Sequence, residues 1–376
     1  MDEFRDWNRR FARDRKAFIA VTVVAAVLSA LPVAAQNNAA VRLGDPRDVP
    51  PLFDSHDVLE LTLEGPLESV FKDRRQKSTE YPAVISYVDA AGEAVRVDLD
   101  LRTRGRRRLD PRICRFPPLR FDFPKSRVMQ TIFAGQDKVK LVTHCRDDRD
   151  EYEQYVLQEY LVYRVFNILS DLSFRVRLVR ITYVDLEESR DPLTKFAFLI
   201  EHKDRMAERN GWEVLQIPVI DPVHFDANQL DLVEIFQYMI GNTDWSAFRA
   251  PRGEPECCHN TKAVGTMAGP VFSVPYDFDQ SGVVSTRYAS PDERLGLRNV
   301  RQRLYRGICR PQADLAQTVA TFNEHREAIY ALYRGQANLD PERLERMLEY
   351  YDDFYEVINN EGKLRRALRD CRRMPS

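Results

Sequence analysis

The sequence predicts an α+β fold: an antiparallel, β-rich N-terminal lobe carrying one central helix, followed by a mainly helical C-terminal lobe. Three observations lead there. Short runs of alternating apolar and polar residues recur between about 57 and 142, which is the period of half-buried strands. One long run, DEYEQYVLQEYLVYRVFNILSDL at 150–172, instead spaces its apolar residues as a helix does. From 311 to 370 the pattern is helical almost throughout.

The elements follow in order. DVLELTLEG alternates as a strand, and PLESVFKDRR carries a short amphipathic pattern with a proline placed for a helix start. YPAVISYVDAAGEAVRVDLDLRTRG divides into two alternating runs around AAGE, a hairpin signature. PPLRFDF and KVKLVTH are two further strands, and FRVRLVRITYVDL and KFAFLIEH follow the long helix as two more. After about 215 strands become scarce. DANQLDLVEIFQYMIG is a helix, PVFSVPYDFD a strand running into a loop, and NLDPERLERMLEYYDDFYEVI a helix with an aspartate cap and a first-turn proline. The expected division is a lobe over 55–210 and a second over 211–376, after a proline-rich lead-in at 36–54. Two lobes of this kind hold a ligand in the cleft between them.

Composition bounds the chemistry. The chain has 376 residues, is 44% hydrophobic and 30% charged, and carries a net charge of −2. That balance gives no overall argument for nucleic acid. The first 35 residues run from an arginine-rich stretch through AFIAVTVVAAVLSAL to small residues at PVAAQ, the order of a secretory signal, with an uncleaved N-terminal anchor as the alternative. Either places the body of the protein outside the cytoplasm, in the periplasm, cell envelope or extracellular space. The six cysteines all lie beyond that segment, and an even count in an exported chain implies disulfides whose pairing the sequence does not decide. No spacing of the zinc-site type is present.

Chemistry is concentrated in three short stretches. IGNTDWS at 240–246 places Asp244 just after a helix end; HN at 259–260 adds Asn260; PYDFDQSG at 275–282 ends a strand with Asp277 and Asp279. These oxygens suit a hard divalent cation such as Mg2+ (or Mn2+), which keeps phosphate oxygens among its ligands. Phosphoryl transfer asks little more of this half: a carboxylate to orient the incoming hydroxyl, and an amide and a carboxylate for metal. Taken singly, Asp244 is an ordinary turn residue and Asn260 an ordinary loop amide. His259, after two cysteines, invites a Cys/His nucleophile reading that lacks a third orienting group in the sequence.

In these motifs the chain resembles the CotH kinase family of atypical, protein-kinase-like proteins. The resemblance spans roughly 55–300, through LRTRG, PPLRFDF, the long helix, RLVRITYVD…KFAFLIEHKD, IGNTDWS, HN and PYDFDQSG. The later motifs are also similar, more distantly, to HipA-like kinases. The resemblance implies a bilobal protein-kinase-like fold that transfers phosphate from ATP with Mg2+ to a protein hydroxyl or a small molecule. It implies that Asp244 orients or deprotonates the acceptor, that Asn260 and Asp277 hold metal with Asp279 as second candidate, and that the backbone of Leu199, Ile200 and Glu201 meets the adenine. In the N-terminal lobe, Arg120 or Lys140 would hold the nucleotide phosphates, with Glu159 as the helix partner and Glu151 and Glu153 nearer the helix start.

Two features depart from the family. RRR stands at 106–108 where small polar residues are usual, and no glycine-rich phosphate loop is present. Phosphate would then be held by guanidinium forks, which match its geometry; the other reading of RTRGRRRLDPRICR is a solvated basic face. Two further functions stay open: a kinase-like binding module without catalysis, since free ATP is scarce outside the cytoplasm, and a nucleotide-sugar transferase using Asp277-x-Asp279.

Overall fold

Alternation in the first half of the chain builds strands β1 (Leu59–Gly65), β2 (Tyr81–Val88), β3 (Ala94–Thr103), β4 (Leu119–Asp122) and β5 (Lys138–Val142), with short helices α1 (Leu67–Lys72) and α2 (Lys125–Val128) between them. The long amphipathic run is helix α3 (Glu151–Leu169), followed by β6 (Val176–Asp185) and β7 (Leu193–Ile200). The computed structural model describes residues 50–373 apart from 267 and 310. The expected signal or anchor at 1–35, and positions 36–49 of the lead-in, lie outside the described residues. No helix among the described residues is long and apolar enough to cross a membrane.

The expected antiparallel sheet forms, but it closes on itself. The strand order is β1-β2-β3-β4-β5-β7-β6, and β6 returns to β1 in parallel, Leu59 opposite Val179 through Gly65 opposite Asp185. Every other pairing in the barrel is antiparallel. One face of each strand fills the interior, including Leu61, Leu63, Ile85, Leu99, Leu101, Phe121, Leu141, Ile181 and Leu199. The period-2 pattern therefore reads out a barrel lumen packed with side chains. The outer face of β6 and β7 is apolar as well: Val176, Leu178, Phe198 and Ile200 join α3 in a second core. Strands buried on both faces explain why VRLVRITYVD and LTKFAFLI alternate so weakly.

The hairpin between β2 and β3 turns at Asp89–Glu93. The Asp89 carboxylate accepts from the amides of Ala91 and Glu93 at 2.9 Å each, and Gly92 takes the left-handed conformation (φ 84°).

Helix α4 (Lys203–Arg209) and strand β8 (Glu213–Val214) follow, then α5 (Ala227–Met239), β9 (Thr261–Gly265), β10 (Val271–Pro275), α6 (Ala316–Arg334), α7 (Pro341–Ile358) and α8 (Glu361–Ala367). The sequence reading missed β9 and β8, which with β10 form a three-stranded sheet in the order β10-β9-β8. Its strands are short, and β9 sits directly behind the HN pair. The cap expected at α7 forms, and α5 carries one of the same kind. Asp226 accepts from the Gln229 amide at α5, and Asp340 accepts from Arg343 at α7, with Pro341 in the first turn.

All six cysteines are paired: Cys114–Cys145, Cys257–Cys258 and Cys309–Cys371.

Candidate functional site

The chain end of α5 explains why Asp244 stands where it does. Gly241 is left-handed (φ 64°), its amide reaches the Tyr238 carbonyl, and the Asn242 amide reaches the Gln237 carbonyl at 2.9 Å. That is a Schellman stop, which reverses the chain within two residues. The Asn242 side chain then accepts from the Asp244 amide at 2.9 Å, and its carbonyl accepts from the Trp245 indole at 3.1 Å. Arg306 clamps the loop from outside by donating to the carbonyls of Thr243 and Trp245. Trp245 is thus a structural anchor.

The next segment is pinned to this loop. The Ser246 amide donates to the His259 carbonyl at 2.9 Å, and the Thr261 hydroxyl to the Ser246 carbonyl at 2.9 Å. These contacts set His259 and Asn260 beside Asp244. The His259 Nε2 lies 2.6 Å from Asp244 Oδ1; the Asn260 amide group donates to the Asp244 carbonyl (2.7 Å) and to Oδ2 (3.1 Å). Asn260 and Asp277 both hold positive φ, 51° and 64°, a conformation Asn and Asp tolerate better than other non-glycine residues. The Asp277 amide is held by the Tyr163 hydroxyl of α3 at 2.8 Å.

Asp244, Asn260, Asp277 and Asp279 line one cleft of about 440 Å³, within the size range of small-molecule sites. Arg104, Arg106, Arg107 and Arg108 from the loop after β3, and Lys140 from β5, line it too, with Lys262, Glu254 and Glu256. Five arginines and lysines of the barrel half thus meet the three acidic and amide motifs.

Arg108 is the centre of the charge pattern. Although it lies in a run of arginines, it is buried, 3.1 Å from Asp277, 3.4 Å from Asp279 and 3.8 Å from Glu159. Glu159 is therefore met by Arg108, not by Arg120 or Lys140. Burial pushes the carboxyls of Glu159 and Asp279 upward, against the lowering influence of Arg108. The other arginines of the run are tied as well. Arg107 donates to the Tyr288 carbonyl (2.6 Å), and Arg106 pairs with Glu254. RRR is thus part of the cleft wall and not a freely solvated face.

Arg104 and Lys140 make no ion pair among the described residues. Lys140 Nζ sits 4.9 Å above the Tyr276 ring. Burial and the neighbouring Arg104 and Lys262 push it down to about 7. Crowded cations of this kind favour an anion among them.

Six sequence-predicted residues stand elsewhere. Arg120 lies across from Lys140 in register, but its guanidinium meets Glu80 (2.9 Å) and Asp122 (3.0 Å) and does not line the cleft. Leu199 and Ile200 lie between the ladders to β5 and β6, so barrel closure leaves no unpaired strand edge there to meet a base. Glu201 is fully buried on Arg209 and the Arg175 amide. Of the helix-start carboxylates, Glu153 holds Lys195 and the Phe196 amide, and Glu151 pairs with Arg287 and Arg343.

For a metal, the available donors are few. Asp279 is buried and committed to Arg108, and among the described residues no group of three His, Cys, Asp or Glu side chains could hold a metal ion. Asp277 is one-third exposed, with one oxygen on Arg108, and the side-chain Oδ1 of Asn260 has no hydrogen-bond partner among the described residues. Those two oxygens fit a divalent cation that arrives with phosphate oxygens and water as its remaining ligands.

Sequence reading offered RRR at 106–108 as guanidinium groups for phosphate but missed the burial of Arg108 among carboxylates, and it missed Arg104, Lys262, Tyr276 and Arg306 as residues of the site. The position of His259, one residue before Asn260, was visible, but its contact with Asp244 was not. No protein-family model matches the chain, and no curated protein matches it.

Proposed function

We propose that this cleft binds the phosphates of ATP and transfers one to a hydroxyl of a protein or small molecule, in an exported, CotH-like kinase. The observation that carries the reading is convergence: Asp244, Asn260 and Asp277, from three separate segments, share one cleft with Arg104, Arg106, Arg107, Arg108 and Lys140. The barrel half and the helical half correspond, in this reading, to the two lobes of a kinase-like enzyme, with the sheet of the first closed into a barrel.

The residues divide the work. Arg104 and Lys140, lacking carboxylate partners, take the phosphate charge. Asp277 and Asn260 would hold a nucleotide-borne Mg2+, which neutralises charge on the transferring group. Asp244, fixed by Asn260 and His259, orients the acceptor hydroxyl. Arg108 holds Asp277 and Asp279 in place and adds a permanent positive charge behind them. The sugar-transferase alternative is weaker because Asp279 is turned to Arg108 and does not present a second free carboxylate. The binding-module alternative is favoured by one specific observation, the commitment of Arg108 to three carboxylates, which offsets part of their charge without metal.

Thermal unfolding with ATP, with and without Mg2+, separates these readings. ATP–Mg2+ is expected to raise Tm by several degrees, Asp277→Ala to abolish the Mg2+ dependence, and Asp244→Ala to keep the shift while losing ~10²-fold or more of label transfer. A shift indifferent to Mg2+, with no transfer, favours the binding module. A shift with UDP-sugar alone favours the glycosyl reading. No shift with either removes the kinase reading.

A further inference from the structure

We infer that the cleft recognises an oligophosphate chain and not the nucleoside attached to it, so that inorganic tripolyphosphate and nucleoside triphosphates of any base are equivalent donors. This rests on the phosphotransfer reading and deepens it by naming the class of donor.

Three cations of the wall carry the argument. Arg104 and Lys140 line the cleft, and their side chains make no hydrogen bond or ion pair among the described residues. Arg107, on the same wall, donates only to neutral acceptors: the Tyr288 carbonyl (2.6 Å), Gln280 Oε1 (3.3 Å) and Ser290 Oγ (3.3 Å). Barrel pairing brings the first two together. Arg102 stands across β4 from Lys140, and Arg104 leaves β3 two residues later with its amide on the Pro118 carbonyl (2.9 Å). Two guanidinium forks and an ammonium suit a row of charged phosphate oxygens. The carboxylates of the wall are met by other cations: Asp279 and one oxygen of Asp277 by Arg108, Glu254 by Arg106, and Glu256 by Lys203 and Lys262.

The groups suited to a base are committed elsewhere. The strand end at 199–201, where the resemblance puts the adenine, has the backbone of Leu199 and Ile200 in the ladders to β5 and β6 and the Glu201 amide on the Arg175 carbonyl, with all three residues buried. Over the Tyr276 ring lie two ammonium groups, Lys140 Nζ at 4.9 Å and Lys262 Nζ at 5.5 Å, so cations take the place of a stacked base. Pro118, Pro251 and Pro255 supply apolar wall but have no N–H to offer a ring nitrogen. No Leu, Ile, Val, Met, Phe or Trp lines the cleft among the described residues. A base resting on the prolines or on the His259 ring gains contact area whatever its edge carries, and telling one base from another takes hydrogen bonds to that edge.

Atoms and electrons balance with either donor. The acceptor oxygen forms an O–P bond to the terminal phosphorus, and the bond from that phosphorus to the bridging oxygen breaks. Its electron pair leaves with the remaining chain, as pyrophosphate from tripolyphosphate or as nucleoside diphosphate from a nucleotide. The acceptor's proton goes to solvent.

The test uses the full chain with Mg2+ and compares ATP, GTP, UTP, inorganic tripolyphosphate and adenosine. Binding is read by calorimetry and thermal shift, and transfer by terminal-phosphate label passed to dephosphorylated casein and to the chain itself. GTP, UTP and tripolyphosphate are expected to bind within about tenfold of ATP, adenosine to give neither heat nor shift, and binding to weaken as salt is raised. Arg104→Gln and Lys140→Gln are each expected to weaken ATP and tripolyphosphate by the same factor, ~10-fold or more. Arg104→Lys is expected to recover part of that loss, and melts of the free variants show that they fold. ATP binding more than about tenfold tighter than GTP and tripolyphosphate, or binding of adenosine, overturns the inference and leaves phosphotransfer from ATP in place. Equal binding with no transfer from any donor removes the phosphotransfer reading and leaves the phosphate-chain site. No binding by any of the phosphates overturns both.

Discussion

Arg108 shows how far a residue's surroundings can depart from its sequence context. It stands in a run of basic residues ahead of a proline, where a solvated face is the ordinary expectation, yet its guanidinium is buried among Glu159, Asp277 and Asp279. No local pattern announces this, because the three carboxylates come from a helix and a strand end far along the chain. The candidate carboxylates and amide were legible, since Asp244, Asn260, Asp277 and Asp279 stand in short motifs at turns, and all four line the cleft. Removing Arg108 leaves buried carboxylates without their partner. Arg108→Gln is therefore expected to lower unfolding stability by about 3–5 kcal/mol at neutral pH, measured by urea denaturation. Arg108→Lys is expected to recover only part of that, since a single ammonium cannot reach three carboxylates as a planar fork does. A loss below about 1 kcal/mol in Arg108→Gln would show that the cluster does not depend on the guanidinium.

Among the elements, α5 and its stop illustrate what a sequence states openly. The apolar run and the glycine at its end were readable, and the glycine is required twice over. Gly241 has φ 64°, and a Cβ there would lie 2.0 Å from the Tyr350 hydroxyl. Gly241→Ala is expected to cost roughly 1–3 kcal/mol from backbone strain alone, with displacement of buried Tyr350 added. Because the turn carries Asp244, the same change should weaken transfer more than nucleotide binding. Circular dichroism melts beside a binding titration check both. Other elements were less legible. Strand β9 is five residues long with apolar positions in a row, a pattern that does not distinguish a buried strand from loop. Barrel closure was hidden for a different reason: alternation reports that a strand has an inner face, and is silent on which strand lies beside which.

At the scale of the whole molecule, the count of cysteines implied disulfides and the fold supplies their pairing. Cys309–Cys371 spans 62 residues and holds the end of the described chain against the body, where the Cys309 amide meets the Arg372 carbonyl and the Arg372 amide the Gly307 carbonyl. Helices α6, α7 and α8 lie within that loop. In the chain-entropy picture a closure of this length stabilises by about 4 kcal/mol. The Cys309→Ser, Cys371→Ser double variant is expected to lose an amount of that order in urea unfolding. A change under 1 kcal/mol would mean that packing of the three helices alone fixes the tail.

The barrel's parallel seam has a consequence for how the chain acquires its shape. Strands β1 to β5 each find their neighbour soon after it is made, a local sequence of pairings with little loop entropy to overcome. The seam joins residues 59–65 to residues 179–185, and β7 must also dock on β5, so the ring is sealed only when the β6–β7 hairpin arrives. Contacts this distant along the chain slow folding. Until then an emerging chain presents two raw sheet edges, β1 and β5, each open to mispairing with another copy. The interval between synthesis of β5 and of β7 is therefore the period in which this protein most needs protection from its own kind.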